Sequence, residues 1–127
     1  MNLGIDLGNT LAKLFLFDGE KIIFQQKVNY SSFESNLDVL IRENSDINAI
    51  IYADVSGMIF KTLEKYSNQI KIIPVNSRMQ LPFVNLYKSG GTLGNDRIVL
   101  VAAASKIYPK SNVLVIDMGT CITYDFI

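Results

Sequence analysis

Histidine and tryptophan are absent from this 127-residue chain, and cysteine occurs once, at Cys121. Without imidazole, Ser-His-Asp triads, His-ligated zinc and histidine acid–base chemistry are excluded. Any general base has to be a carboxylate, a lysine or a tyrosine. A lone cysteine rules out an intrachain disulfide and suits a reducing, cytoplasmic setting. An excess of charge is missing too: twelve basic and twelve acidic residues cancel. That removes the electrostatic footprint of a partner such as nucleic acid or an anionic membrane. No apolar run approaches the roughly 18 residues of a membrane span, and no basic stretch leads into an apolar one as in an export signal. Neither G-x-x-x-x-G-K-[ST] nor G-x-G-x-x-G occurs, so P-loop and ordinary Rossmann nucleotide sites are excluded. What remains is a chain with 49% apolar residues, enough for one domain with an adequate core.

The stretch Leu3-Gly4-Ile5-Asp6-Leu7-Gly8-Asn9-Thr10-Leu11-Ala12-Lys13 organises the rest. Leu3, Ile5 and Leu7 alternate with Gly4 and Asp6, the period of a half-buried strand. Gly8-Asn9 tolerates positive φ and predicts a tight reversal there. Leu14 to Phe17, apolar on both faces, predicts a central returning strand. A strand ending in Asp and turning through Gly-Asn-Thr leaves backbone N–H groups, a hydroxyl and a carboxylate at one rim. Such a turn can hold phosphate oxygens and, through the carboxylate, a hydrated Mg²⁺. Lys13 adds a cation. The chain then repeats the pattern at Val113 to Asp125: an apolar strand, Asp117-Met118-Gly119-Thr120, and a second strand.

Between these two hairpins the sequence predicts alternating elements. Asp18-Gly19 marks a hairpin into a third strand, Lys21 to Val28. Ser31-Ser32-Phe33-Glu34 has the spacing of a capping box, and Phe33, Leu37, Leu40 and Ile41 follow as one helical face ending near Glu43-Asn44. Ile47 to Ala53 predicts a buried parallel strand. Ser56-Gly57 is expected to open a second helix with Ile59, Phe60 and Leu63 inward, and Ile70 to Val75 a further strand. Asn76 to Gly91, with Pro82, Asn85, Ser89 and Gly90, predicts a long loop, which in compact domains is usually functional or mobile. Leu93 to Ile107 predicts a helix apolar on most sides and therefore buried, closed off by Pro109. Asp96 and Arg97 fall in its first turn, where a carboxylate simply complements the positive end of a helix.

Two Asp-x-Gly hairpins, with Thr92-Leu93-Gly94-Asn95-Asp96-Arg97 between them, resemble the actin-like superfamily of ATPases and sugar and acetate kinases. The order D-x-G-N-T, L-G-x-D-R, D-x-G-T-x-x-T resembles one branch, type III pantothenate kinase, also called the Bvg accessory factor family. The resemblance implies an α/β fold of the ribonuclease-H-like kind: a mixed sheet of three antiparallel strands followed by alternating helices and parallel strands. It divides the chain into a first actin-like domain at 1–110 and the truncated start of a second at 111–127, with the adenine-binding remainder absent. The implied activity is ATP-dependent phosphorylation of pantothenate, the opening step of coenzyme A synthesis, by a cytoplasmic homodimer.

The resemblance also implies roles. Asp6, Leu7, Gly8, Asn9, Thr10, Leu11, Ala12 and Lys13 would bind ATP together with Thr120, with Mg²⁺ at Asp6. Tyr87, Gly94, Asn95, Asp96 and Arg97 would bind pantothenate, with Asp96 as catalytic base and the Arg97 fork on the substrate carboxylate. Asp117 would hold a monovalent cation, K⁺ or NH₄⁺. Cys121 is expected to be a small buried residue without chemistry. Two other readings stay open on the residues: a two-metal nuclease using Asp6 and Asp54, and a non-catalytic regulator on the same fold.

Overall fold

The alternation at the N-terminus builds the strand around which the first half assembles. The computed structural model describes residues 1–55, 57, 59–88, 91 and 93–127. They form two compact units, Met1–Pro74 and Val75–Ile127. In the first, β1 (Asn2–Leu7), β2 (Ala12–Asp18) and β3 (Lys21–Val28) are followed by α1 (Tyr30–Glu43), β4 (Ala49–Asp54), α2 (Phe60–Glu64) and β5 (Lys71–Pro74). The sheet order is β3-β2-β1-β4-β5. β1 runs antiparallel to β2 and parallel to β4, and β5 is parallel to β4.

Leu3, Ile5 and Leu7 of β1, Leu14 and Leu16 of β2 and Ile50 of β4 point to one face and are buried with Phe33, Leu37 and Leu40 of α1 and Leu63 of α2. Each such side chain contributes about 1.5–3 kcal/mol by leaving water. On the other face Gly4 leaves room for an aromatic ring, since a Cβ there would lie 3.0 Å from Phe17 Cε2. The β2–β3 hairpin turns at Gly19, whose φ of 60° is the left-handed conformation that glycine adopts without strain.

Several local expectations are corrected. Helix α1 begins at Tyr30 with Asn29 as its N-cap and no side-chain cap bond. Ser31 thus lies inside the helix, and the expected Ser31–Glu34 box does not form. Glu34 accepts from Lys65 Nζ at 2.7 Å instead. α2 is only five residues long. Ile59 and Leu63, four apart, take its inner stripe, and Phe60 is exposed one step round the helix. Ser56, expected to open this helix, lies outside the described residues, as do Ser89, Gly90 and Thr92.

In the second unit α3 (Asn95–Ile107) packs on β6 (Leu114–Met118) and β7 (Ile122–Phe126), a two-stranded antiparallel ribbon. The expected division between residues 110 and 111 falls within this unit. α3 is also less buried than its composition predicts: Ile98 and Val101 are covered, while Val99, Leu100 and Ile107 are exposed. A ribbon two strands wide covers one stripe of a helix and no more. Its far face pairs Leu114 with Phe126, Ile116 with Tyr124 and Met118 with Ile122, all exposed. Val113 and Val115 are half-buried, and Cys121 is exposed rather than buried as expected.

Candidate active-site residues

At the end of β1 the chain reverses through Gly8, Asn9, Thr10 and Leu11, with Leu7 and Ala12 as the last strand pair. The Gly8 N–H donates to the Leu11 carbonyl at 3.2 Å. Neither Gly8 nor Asn9 has positive φ, contrary to expectation. Four residues give the loop enough length to reverse with ordinary dihedrals. Asp6 and Lys13 stand opposite each other in the β1–β2 register, and Lys13 Nζ lies 2.8 Å from Asp6 Oδ2. Both side chains are partly open to water, so the pair contributes under about 1 kcal/mol to stability. Its consequence is placement: an ammonium and a carboxylate side by side at the rim of the turn.

Leu7 and Ala12 are buried, so at those two positions only the backbone is available to a ligand. Asn9 and Thr10 are exposed. Among the described residues no backbone carbonyl accepts from the N–H of either. Successive exposed N–H groups without a backbone acceptor, next to a lysine, suit an anion.

Asp54 ends β4 in register with Leu7. Its two oxygens accept from the backbone N–H of Gly57 at 2.9 Å and of Ile59 at 3.0 Å. That carboxylate closes the turn into α2, so a nuclease metal paired with Asp6 would have to share it with two backbone N–H groups. Among the described residues no group of three potential metal-ligating side chains forms.

Tyr30 enters this neighbourhood unannounced by any motif. Its hydroxyl donates to the Gly8 carbonyl. Burial, and then the negative charges of Asp54 and Asp6, push the phenol above its ordinary range, so it keeps its proton and donates. Sequence spacing holds no trace of this contact, which spans 22 residues.

In the second unit Gly94 is the N-cap of α3, and its carbonyl takes the Ile98 N–H at 3.2 Å. Asn95 opens the helix, and Asp96 sits half-buried in its first turn with Oδ1 2.9 Å from the Arg97 N–H. A Cβ at position 94 would lie 2.4 Å from Asp96 Oδ1. Glycine is thus what leaves this carboxylate its place.

Arg97 departs from expectation. Its Nε and Nη2 donate to Asp125 Oδ2 and Oδ1 at 2.9 and 2.6 Å, and Nη2 reaches the Tyr124 carbonyl at 3.4 Å. The edge expected to receive a substrate carboxylate is held by Asp125. Hydrogen bonding to Asp125 outweighs burial and raises the guanidinium pKa further. The Tyr87 ring lies 5.2 Å from Arg97 Cζ, a cation–π contact. The expected substrate residues Tyr87 and Arg97 are therefore brought together, with Asp125 as a third member. The alternation of Thr123 and Asp125 along β7 was the available sign of an inward carboxylate. Asp117 is half-buried opposite Thr123, on the same ribbon face as Asp125. Thr120 is exposed in the 119–121 turn, where the Gly119 N–H donates to the Cys121 carbonyl at 3.1 Å.

A mixed sheet joined by helices, followed by a two-stranded Asp-x-Gly-Thr hairpin, defines an α/β protein. Two solved structures share the fold at a TM-score of 0.56. One is a Baf family protein from Campylobacter jejuni, 24% identical, aligned over 98% of this chain and 48% of that one. The other is an N-acetylmannosamine kinase candidate from Listeria monocytogenes, 12% identical, aligned over 98% and 46%. The chain belongs to the type III pantothenate kinase family, whose model matches residues 2–127. Curated relatives bearing that name include proteins of Flavobacterium psychrophilum, 36% identical over 127 residues, and Phocaeicola vulgatus, 41% identical over 133. A third, from Bacteroides fragilis, is 39% identical over 132 residues. Each alignment covers 100% of this chain and 52–53% of the relative, so the chain spans about half their length.

Proposed function

We propose that the complete protein transfers the γ-phosphoryl group of ATP to the primary hydroxyl of pantothenate. The observation that carries the reading is the turn at Gly8–Leu11. In a chain of this family, it presents Asp6, Lys13 and the N–H groups of Asn9 and Thr10 at one rim. Phosphoryl transfer asks a protein mainly for positioning and charge neutralisation, and these are the groups that supply both. The strand order supports a ribonuclease-H-like, actin-like assignment, with the 111–127 hairpin read as the opening of a second such domain.

Asp6 offers the hard carboxylate oxygen that Mg²⁺ takes, and a bound ion neutralises phosphate charge. Lys13 and the loop N–H groups hold phosphate oxygens; Thr120 is read as a further nucleotide-binding residue. Asp96 accepts the proton as the pantothenate hydroxyl oxygen bonds to the γ-phosphorus and ADP leaves. Tyr87, Gly94 and Asn95 belong to the substrate side. Arg97, held by Asp125, acts there through its remaining N–H groups and through Tyr87. Asp117 is read as the seat of K⁺ or NH₄⁺. A cytoplasmic homodimer completes the reading.

The test is ADP formation by the complete protein with and without pantothenate, in potassium, ammonium and sodium buffers. Turnover should require pantothenate and be fastest with K⁺ or NH₄⁺, and Asp117→Asn should remove the preference. ATP hydrolysis indifferent to pantothenate would overturn the substrate assignment. Equal rates in all three salts would remove the cation site.

A further inference from the structure

One peptide of the phosphate-type turn is gripped from outside the turn. The Gly8 N–H is used within the loop, donating to Leu11, while the Gly8 carbonyl accepts from the Tyr30 hydroxyl at the start of α1. In a trans peptide such as Gly8–Asn9 the carbonyl and the following N–H point in opposite directions. Whatever fixes the Gly8 carbonyl therefore also fixes the Asn9 N–H. Glycine restrains its neighbouring peptides least of all residues, so the Gly8–Asn9 peptide is the one in this loop most free to flip. Among the described residues no backbone carbonyl accepts from the Asn9 N–H. It is the group a flip would turn away from a ligand.

We infer that Tyr30 is a positioning residue of the nucleotide site: its hydroxyl locks the Gly8–Asn9 peptide so that the Asn9 N–H stays presented to phosphate. The identity of the anion rests on the kinase reading above; the locking rests on the hydrogen bond. α1 thereby does two jobs, burying Phe33, Leu37 and Leu40 in the core and setting one donor of the turn from its first residue.

Tyr30→Phe removes the hydroxyl and keeps the ring. In the complete protein it is expected to weaken binding of Mg²⁺ with the non-hydrolysable imidotriphosphate analogue of ATP by about 3- to 10-fold, the range of one lost hydrogen bond. KM for ATP should rise with it. KM for pantothenate and affinity for adenosine, which has no phosphate, should stay within about twofold, and Tm within about 2 °C. Unchanged affinity for the imidotriphosphate overturns the inference. So does an equal weakening of adenosine binding, which marks a general structural loss. If the wild-type protein binds neither nucleotide, the kinase reading fails instead, and the locking is decided by the Asn9 amide in NMR. Its resonance should shift and its exchange with water quicken in Tyr30→Phe; an unmoved Asn9 amide overturns the inference.

Discussion

Arg97 and Asp125 meet fork to fork, at 2.9 and 2.6 Å, and so join the first turn of α3 to the last strand of the ribbon. Both side chains are mostly covered, at 19% and 14% exposure, which limits screening by water. Asp125→Asn should therefore cost about 1.5–3 kcal/mol, the range of hydrogen bonds to charged groups. A double-mutant cycle with Arg97→Gln in urea unfolding should show coupling of the pair. Additive losses would mean that the two residues act independently.

Asp96→Asn keeps the shape and an acceptor oxygen but cannot take a proton. A positioned general base contributes about 10²–10⁴-fold in rate, and kcat of the complete protein should fall by that much. Asn also suits a helix start, so Tm should hardly move. A folded variant with near wild-type kcat would remove Asp96 as the base while leaving the kinase reading in place.

Gly94→Ala tests the same carboxylate without touching it. The new Cβ would fall 2.4 Å from Asp96 Oδ1, and the side chain would have to swing away. The backbone at 94, φ −55° and ψ 138°, is open to alanine, and losing a glycine stiffens the unfolded chain by about 0.4–1 kcal/mol. Alanine is a poorer N-cap than glycine, which offsets that gain, so stability should stay within about 1 kcal/mol of wild type while turnover falls by at least about tenfold. Undiminished turnover would show that Asp96 need not stay where it is.

The contact between α1 and the turn that follows α2 should weaken in alkali. The Tyr66 hydroxyl donates to Asp38, and burial followed by that bond raises its pKa from 10 to about 12. Below pH 10 both folded and unfolded chains keep the proton and stability does not change. Above it the unfolded chain releases the proton first, so stability falls as pH rises through about 12. Tyr66→Phe should flatten the pH dependence of urea midpoints over that window. An identical slope in both proteins would assign the loss to other groups.

The far face of the β6–β7 ribbon carries three exposed apolar cross-strand pairs. A contiguous patch of this kind drives association. The 127-residue chain should form concentration-dependent oligomers in sedimentation, and Ile116→Lys with Tyr124→Lys should shift it toward monomer. A clean monomer at high concentration would dispose of this.

Local pattern carried much of the fold. Alternation placed β1, the Asp18-Gly19 hairpin and β3, and a helical period placed Phe33, Leu37 and Leu40 inward. It failed where a second partner competed. The Ser31–Glu34 spacing promised a capping box, yet the N-cap lies two residues earlier, at Asn29, and Glu34 found Lys65, some thirty residues away in sequence. The composition of α3 promised burial, but composition reports what a helix can bury and not how wide its support is.

The sequence by itself determined the order of the chemistry-bearing turns and the family, because motif identity and spacing along a chain survive without coordinates. Only the tertiary structure decided which groups are free to act. It committed Asp54 to its turn, gave the Arg97 fork to Asp125 and set Tyr30 on the Gly8 carbonyl. Hydrogen-bond partners are chosen by distance in space, and all but the first of these lie more than twenty residues apart in the chain.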